Sequence, residues 1–388
     1  MTFRDGWSYI LAPMGVDEFL SRHWEPQKPL HLPGHSSKFA DLLDRRSFVE
    51  AIQARPEEGK LQLRVSYTRP DDTFEEIGFI GGREAVEHFE RGATICATAL
   101  EYVEPAVREF RNILAEQWPS PDPLIVNCYY SPDGQGFGTH FDPQSVWVMQ
   151  IEGRKRWHYS TDRAMPFPND GKTAMELRPK GSPLLASAES MASVELQPGD
   201  VLYLPPGTWH RAEANGHSLA LSVSQTNHGT RRLVSKVLRK RLFDDLKWRG
   251  HFPLSGAGSA DVETYLSGLL GDLKTVVNNL TVADLRDVWA LMALPQTTTG
   301  TNHPAPVTAS DPLRVVQPLA AFADEPTQTL VVYRNGRKYD LPWSCRFVLN
   351  GGGTPLTGDA IAARLGAPWE EASPLILDLL QIGVLAHA

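Results

Sequence analysis

Cysteine is scarce in this chain. Cys96, Cys128 and Cys345 are the three in 388 residues; they lie far apart with no C-x-x-C. That excludes a disulfide framework or a thiolate zinc site and points to a reduced, cytosolic compartment. No apolar run reaches the ~18–20 residues that a membrane span needs, and the N-terminus has no basic-then-apolar leader pattern. The most apolar segment, residues 374–388, carries Asp378 and reads as a C-terminal core helix. Positive charge is not in excess either. With 38 Lys+Arg against 46 Asp+Glu, the net charge of −8 argues against a surface built to coat nucleic acid and suits a cationic peptide or protein partner. No internal repeat is visible. These features predict a soluble, cytoplasmic protein with no membrane association and no direct nucleic-acid binding.

What remains is an ordinary globular composition, 41% hydrophobic and 22% charged, in a chain long enough for two or three domains. The first part reads as mainly helical. Val16, Phe19, Leu20 and Trp24 share one helical face, and further helices fit residues 47–53, 84–91 and 105–117. Residues 61–68 alternate Leu61, Leu63, Val65 and Tyr67 and read as a strand.

From about residue 123 the texture changes to short strands separated by Gly and Pro. Strands are expected at 124–130, at 146–151 and 154–160 as a hairpin turning at Glu152-Gly153, at 193–196 and 201–204 around Gln197-Pro198-Gly199-Asp200, and at 218–224. That spacing fits a sandwich or barrel better than alternating β/α units. After Asn227 the chain is basic and helical, with Arg231, Arg232, Lys236, Arg239, Lys240 and Arg241 in one run. It reads either as a solvated face or as an arm for dimerisation or substrate docking. Helices are expected at 262–273 and 282–293. A Thr/Pro/Gly/Ser-rich linker at 295–312 leads to a hairpin with strands at 328–333 and 338–341 around Asn335-Gly336. Helices at 357–365 and 373–382 complete a small α+β module, winged-helix-like in its order.

The chemistry concentrates in Gly138-Thr139-His140-Phe141-Asp142. On a strand, positions i and i+2 face the same way, so an imidazole and a carboxylate converge on one ion. With a second imidazole they form the 2-His-1-carboxylate set of non-haem iron oxygenases, which leaves coordination positions open. An isolated H-x-D triplet is weak evidence. A second histidine at a defined place strengthens it: His210 follows Pro198-Gly199-Asp200, an apolar strand and Pro205-Pro206-Gly207. Trp147, Trp157 and Trp209 near these motifs read as packing, and Gln135, Phe137 and Gln144 as residues of the mouth.

Four stretches carry a wider likeness: Tyr129-Tyr130-Ser131-Pro132, Gln135 to Asp142, Gln150 to Trp157, and Pro198 to His210. Together they resemble the JmjC/cupin-like ribosomal oxygenases, Fe(II)- and 2-oxoglutarate-dependent protein hydroxylases. The likeness covers the β core closely and the flanking segments more loosely. It implies an α+β fold with a double-stranded β-helix (jelly-roll/cupin-like) core, a helical dimerisation region and a C-terminal winged-helix-like domain. The corresponding boundaries are 1–227 for the catalytic part, with its β core at about 123–227, then 228–294, the linker, and 313–388.

The same resemblance makes His140, Asp142 and His210 the iron ligands. It makes Lys155 the group that takes the far carboxylate of 2-oxoglutarate, with Arg154 and Arg156 as competitors; strand alternation sends Lys155 to the face opposite both. Tyr129 (or Tyr130, because the loop before His140 is one residue shorter than in some relatives) and Ser222 are implied as hydrogen-bond donors to that carboxylate. The implied cosubstrates are 2-oxoglutarate and O2. The implied reaction is hydroxylation of an amino-acid side chain in a protein, with a ribosomal protein as leading substrate and a homodimer as the assembly. Hydroxylation of a natural-product peptide or free amino acid, and a non-catalytic cupin-like binding module, are the alternatives.

Overall fold

The computed structural model describes residues 1–54, 61–188, 190–251, 259–293, 306–316, 320–334, 337–350 and 354–388. Residues 295–305 of the expected linker and the Asn335-Gly336 turn lie outside the described residues. The chain divides into two compact units: Met1–Trp118 with Asp122–His228, and Pro119–Pro121 with Gly229–Ala388.

The first unit is built on an antiparallel sheet of eleven strands. They are β1 (Leu30–Leu32), β2 (Gln62–Thr68), β3 (Phe74–Gly78), β4 (Thr94–Thr98), β5 (Leu124–Ser131), β6 (Gly136–Phe141), β7 (Gln144–Arg163), β8 (Lys172–Thr173), β9 (Met191–Leu196), β10 (Val201–Leu204) and β11 (Thr208–Thr226). β7 and β11 pair along almost their whole length, Gln144 with Thr226 at one end and Arg163 with Thr208 at the other. Their halves have different neighbours. The first half of β7 pairs with β10 and its second half with β9, while β11 pairs with β6 early and with β5 late. The register shifts where Gly153 meets Ser218. Gly153 sits at φ +65°, and a Cβ there would lie 1.8 Å from His217 O. The result is the double-stranded β-helix of the cupin-like folds.

Three readings need correction. The expected 146–160 hairpin is one strand: Glu152-Gly153 looks like a two-residue turn, but its glycine accommodates a bulge instead. The 193–196 and 201–204 strands do not pair with each other. The Gln197–Asp200 turn carries the chain from the second half of β7 to the first. Finally, the N-terminal part is not mainly helical, since it supplies β1 to one edge and β2, β3 and β4 to the other.

The expected N-terminal helices are present as Arg45–Gln53, Gly82–Glu90 and Pro105–Gln117, while the one at 16–24 begins as an α-helical turn, Val16–Phe19, and continues as a π-helix, Leu20–Trp24. The Arg45–Gln53 helix starts at a reciprocal cap in which Ser47 N donates to Asp44 Oδ1 at 2.7 Å. These helices help bury the outer face of β2, β4 and β5, where Val65, Ile95, Val126 and Cys128 are sealed in one core with Phe48, Phe110 and Trp147.

The second unit has helices Gly229–Asp244, Leu246–Arg249, Ser259–Asn278 and Val282–Ala293. Two three-stranded antiparallel sheets follow, together with helices Gly358–Leu365 and Trp369–Gln381. The last helix begins four residues before the expected start and holds Pro374 inside it.

Candidate metal and cosubstrate site

Register brings the two histidines together. β6 and β11 pair with His140 opposite His210, and the ring centroids are 4.3 Å apart. Asp142 stands just past the end of β6, its Oδ2 3.9 Å from His140 Nε2 and 3.7 Å from His210 Nε2. The ligand-capable atoms of the three all lie within 4.8 Å of one another. Each imidazole is aimed by its own strand: His140 Nδ1 lies 2.8 Å from Gly138 O and His210 Nδ1 2.9 Å from Thr208 O. Those bonds place the proton on Nδ1 and turn the Nε2 lone pairs toward Asp142, the arrangement metal-bound histidines require. Burial, reinforced by the neighbouring His140, lowers the His210 pKa to about 4, so His210 is neutral at ordinary pH.

These groups open onto a cavity of about 430 Å³ between the two halves of the β-helix. Cross-strand neighbours on β2, β4 and β5 form rows on its inner wall. Gln62, Thr98 and Asn127 make one row and Arg64, Cys96 and Tyr129 the next; beyond the cavity lining the same sheet face continues with Ser66, Thr94 and Ser131, all fully buried. Tyr129 therefore faces the cavity. Tyr130 faces the opposite way, stacked on Phe89 with centroids 4.0 Å apart. Burial raises the Tyr129 pKa, keeping its phenol a neutral donor. Ser222 lines the same wall, its Oγ 3.5 Å from Ser224 Oγ.

Lys155 comes from the second half of β7 and is 2% exposed. Arg154 and Arg156 point outward to Glu195, at 3.7 and 3.3 Å. Lys155 Nζ donates to Ser131 Oγ at 2.9 Å. No carboxylate pairs with it among the described residues. The acidic groups that act on it are Cys96, whose thiol burial pushes up to about 12, and Cys128, whose pKa is raised for the same reason. Both stay uncharged and supply no counter-ion. Burial accordingly pushes the Lys155 pKa down to about 8. An ammonium in this position costs several kcal/mol until an anion reaches it. The donor set thus fits both groups that the sequence implies: two imidazoles and an acid for a divalent cation, and an uncompensated cation for a dicarboxylate.

Of the other expectations, Phe137 and Gln144 line the cavity, whereas Gln135 does not. Its Oε1 accepts from Thr68 N at 3.1 Å and ties β2 to the turn before β6. Trp147 and Trp209 are packing residues, both fully buried. Trp157 is cavity wall as well, 5.8 Å from the His210 ring, with Nε1 unpartnered among the described residues. Sequence reasoning missed Arg64, Thr94, Asn127 and Ser131, whose places depend on strand register that no local pattern reveals.

Comparison with known proteins agrees with this architecture. Residues 103–233 match the family model described as the JmjC domain. Ribosomal oxygenase 1 of Gallus gallus is 28% identical over 64% of the chain, and the ribosomal protein uL16 3-hydroxylase of Escherichia coli is 27% identical over 56%. These alignments take in 42% and 54% of the relatives' own lengths. The structure of YcfD, a ribosomal oxygenase from Escherichia coli in complex with cobalt and 2-oxoglutarate, superposes with a TM-score of 0.53 at 19% identity, covering 96% of this chain and 98% of that one. The stretch matching the JmjC domain holds both histidines, the acid and the buried lysine, and over that stretch the chain is similar to the JmjC/cupin-like ribosomal oxygenases.

Proposed function

We propose that the chain is an Fe(II)- and 2-oxoglutarate-dependent oxygenase that hydroxylates an amino-acid side chain in a protein. The observation that carries this is the pairing, in one cavity, of a His-Asp-His cluster with a buried lysine that has no counter-ion. A structural buried lysine is held by an acid or by several acceptors, as Lys38 is by Ile10 O and Ala12 O, whereas Lys155 has the single hydroxyl of Ser131 and opens onto the cavity.

In this reading His140, Asp142 and His210 would hold the metal and Lys155 would take the far carboxylate of 2-oxoglutarate. The metal with its cosubstrate supplies O2 activation and the insertion of one oxygen atom into an unreactive C–H bond. The chain's own work is positional. Gly138 O and Thr208 O hold the imidazoles in their ligating tautomer. Lys155 would fix one end of the cosubstrate, and the neutral Tyr129 phenol and Ser222 hydroxyl, which line the same cavity, would donate hydrogen bonds to it. The aromatic walls, Phe137 and Trp157, narrow the space around the metal and restrict water.

A ribosomal protein is the proposed substrate, a reading supported by the uL16 hydroxylase relative. Work in the cytoplasm is supported by three free, buried thiols. A homodimer formed through the helical region is supported by side chains such as Leu270, Val282 and Leu291, which are 52%, 78% and 46% exposed. Among the described residues no helix is long and apolar enough to cross a membrane.

The substrate is tested by comparing cells carrying wild-type protein with cells carrying His140→Ala. A ribosomal protein heavier by one oxygen atom only with the wild type is expected. An unchanged ribosomal proteome, with the added oxygen on a free amino acid or small peptide, would overturn the protein-substrate reading.

A further inference from the structure

Beyond the cavity lining, the inner sheet face continues as a fully buried row of hydroxyls. Ser66, Thr94, Ser131 and Ser218 are cross-strand neighbours on β2, β4, β5 and β11, and each has no exposed surface. Within the row, Thr94 Oγ1 donates to Ser131 Oγ at 3.0 Å, and Ser131 Oγ also accepts from Lys155 Nζ at 2.9 Å. Ser131 Oγ is the hydrogen-bond acceptor of Lys155 among the described residues.

We propose that Ser131, held by Thr94, is a positioning residue that aims the Lys155 ammonium at the cosubstrate's far carboxylate. An ammonium carries three donors at tetrahedral angles on a flexible four-carbon stem. Anchoring one donor on a fixed oxygen fixes the cone swept by the other two, which are then free for an anion entering from the cavity. Thr94 in turn removes the rotational freedom of the Ser131 hydroxyl by occupying one of its lone pairs. A direct counter-ion would have held the lysine as firmly but would have neutralised it. A neutral hydroxyl steers the charge without spending it.

The inference rests on Lys155 as the cosubstrate anchor, and the test separates the two. The full chain, loaded with Mn(II), is titrated with 2-oxoglutarate in a calorimeter. Lys155→Ala should weaken binding by roughly a hundredfold or more. Ser131→Ala should weaken it by about tenfold, and the isosteric Thr94→Val by roughly two- to fivefold, with Thr94→Ser restoring wild-type affinity. Mn(II) affinity should be unchanged throughout, and turnover of Ser131→Ala at saturating 2-oxoglutarate should approach wild type, so that the loss appears in KM.

Wild-type affinity in both Ser131→Ala and Thr94→Val, alongside a loss in Lys155→Ala, would overturn the positioning role and leave the anchor standing. A parallel fall in Mn(II) affinity would make the hydroxyl pair a support of the fold, also against the proposal. Undiminished binding by Lys155→Ala would remove the anchor and the proposal with it. If Ser131→Ala does not fold, the Thr94 pair decides alone.

Discussion

At the scale of the residue, Lys155 sets function against stability. Its pKa in the fold is about 8 against 10.5 in the unfolded chain. Below about pH 8 the folded protein carries the full cost of the buried ammonium. Between about 8 and 10.5 the folded lysine is neutral while the unfolded one is still protonated, so stability rises with pH across that window. Lys155→Met should therefore stabilise the protein free of cosubstrate by about 3 kcal/mol at pH 7, read by urea unfolding, with the gain shrinking toward pH 10.5. Lys38, also held near 8 by burial, contributes the same sign to both proteins and cancels in the comparison. Affinity for 2-oxoglutarate should fall above about pH 8 as the anchor discharges; affinity that stays flat to pH 10 would contradict the assignment. Asp142→Ala, which removes the one carboxylate of the cluster, should abolish succinate formation and lower metal affinity, and retained turnover would count against it.

This is also the scale at which the site is most legible in sequence. Strand alternation alone puts Lys155 inside and its two arginine neighbours outside, and it separates Tyr129 from Tyr130. Ser131 and Thr94 escape because their partnership exists only once β4 and β5 are in register.

At the scale of the element, the long strands β7 and β11 do the placing. Each runs through both halves of the β-helix, so the second half of β7 brings Lys155 under the inner wall while β11 carries His210 opposite His140. The bulge at Gly153 allows this. Gly153→Ala would force a side chain to φ +65° against His217 O, 1.8 Å away, and should cost roughly 2–4 kcal/mol of stability. A melting temperature equal to wild type would show the bulge to be tolerant. A Glu-Gly pair between two apolar runs carries the local signature of a hairpin, and only the partner strand decides between turn and bulge. β3 was illegible for another reason: Phe74-Glu75-Glu76-Ile77-Gly78 is an edge strand with little buried surface, so no alternation marks it. Asp200 was legible as a turn residue but has a wider role. Its carboxylate accepts from Gln197 N at 3.1 Å and Gly34 N at 2.9 Å and lies 3.1 Å from His31 Nε2, locking the N-terminal segment to the barrel.

At the scale of the whole molecule, composition excluded more than it identified, and the fold class emerged from the change of texture near residue 123 rather than from any total. The basic helix Gly229–Asp244 shows how little a charge run settles. Lys236, Arg239 and Lys240 are exposed beside Phe243, while Arg241 pairs with Asp284. Light scattering on the purified chain should return the mass of a dimer; a monomer at micromolar concentration would contradict the proposed assembly. The central claim is that one cavity gathers a ferrous ion and a keto-dicarboxylate. The most direct test is an anaerobic titration of the protein with Fe(II) and 2-oxoglutarate, followed in the visible region. A charge-transfer band that saturates at one equivalent of each, and is absent in His140→Ala, is the predicted result; no band with the wild-type protein would contradict the account.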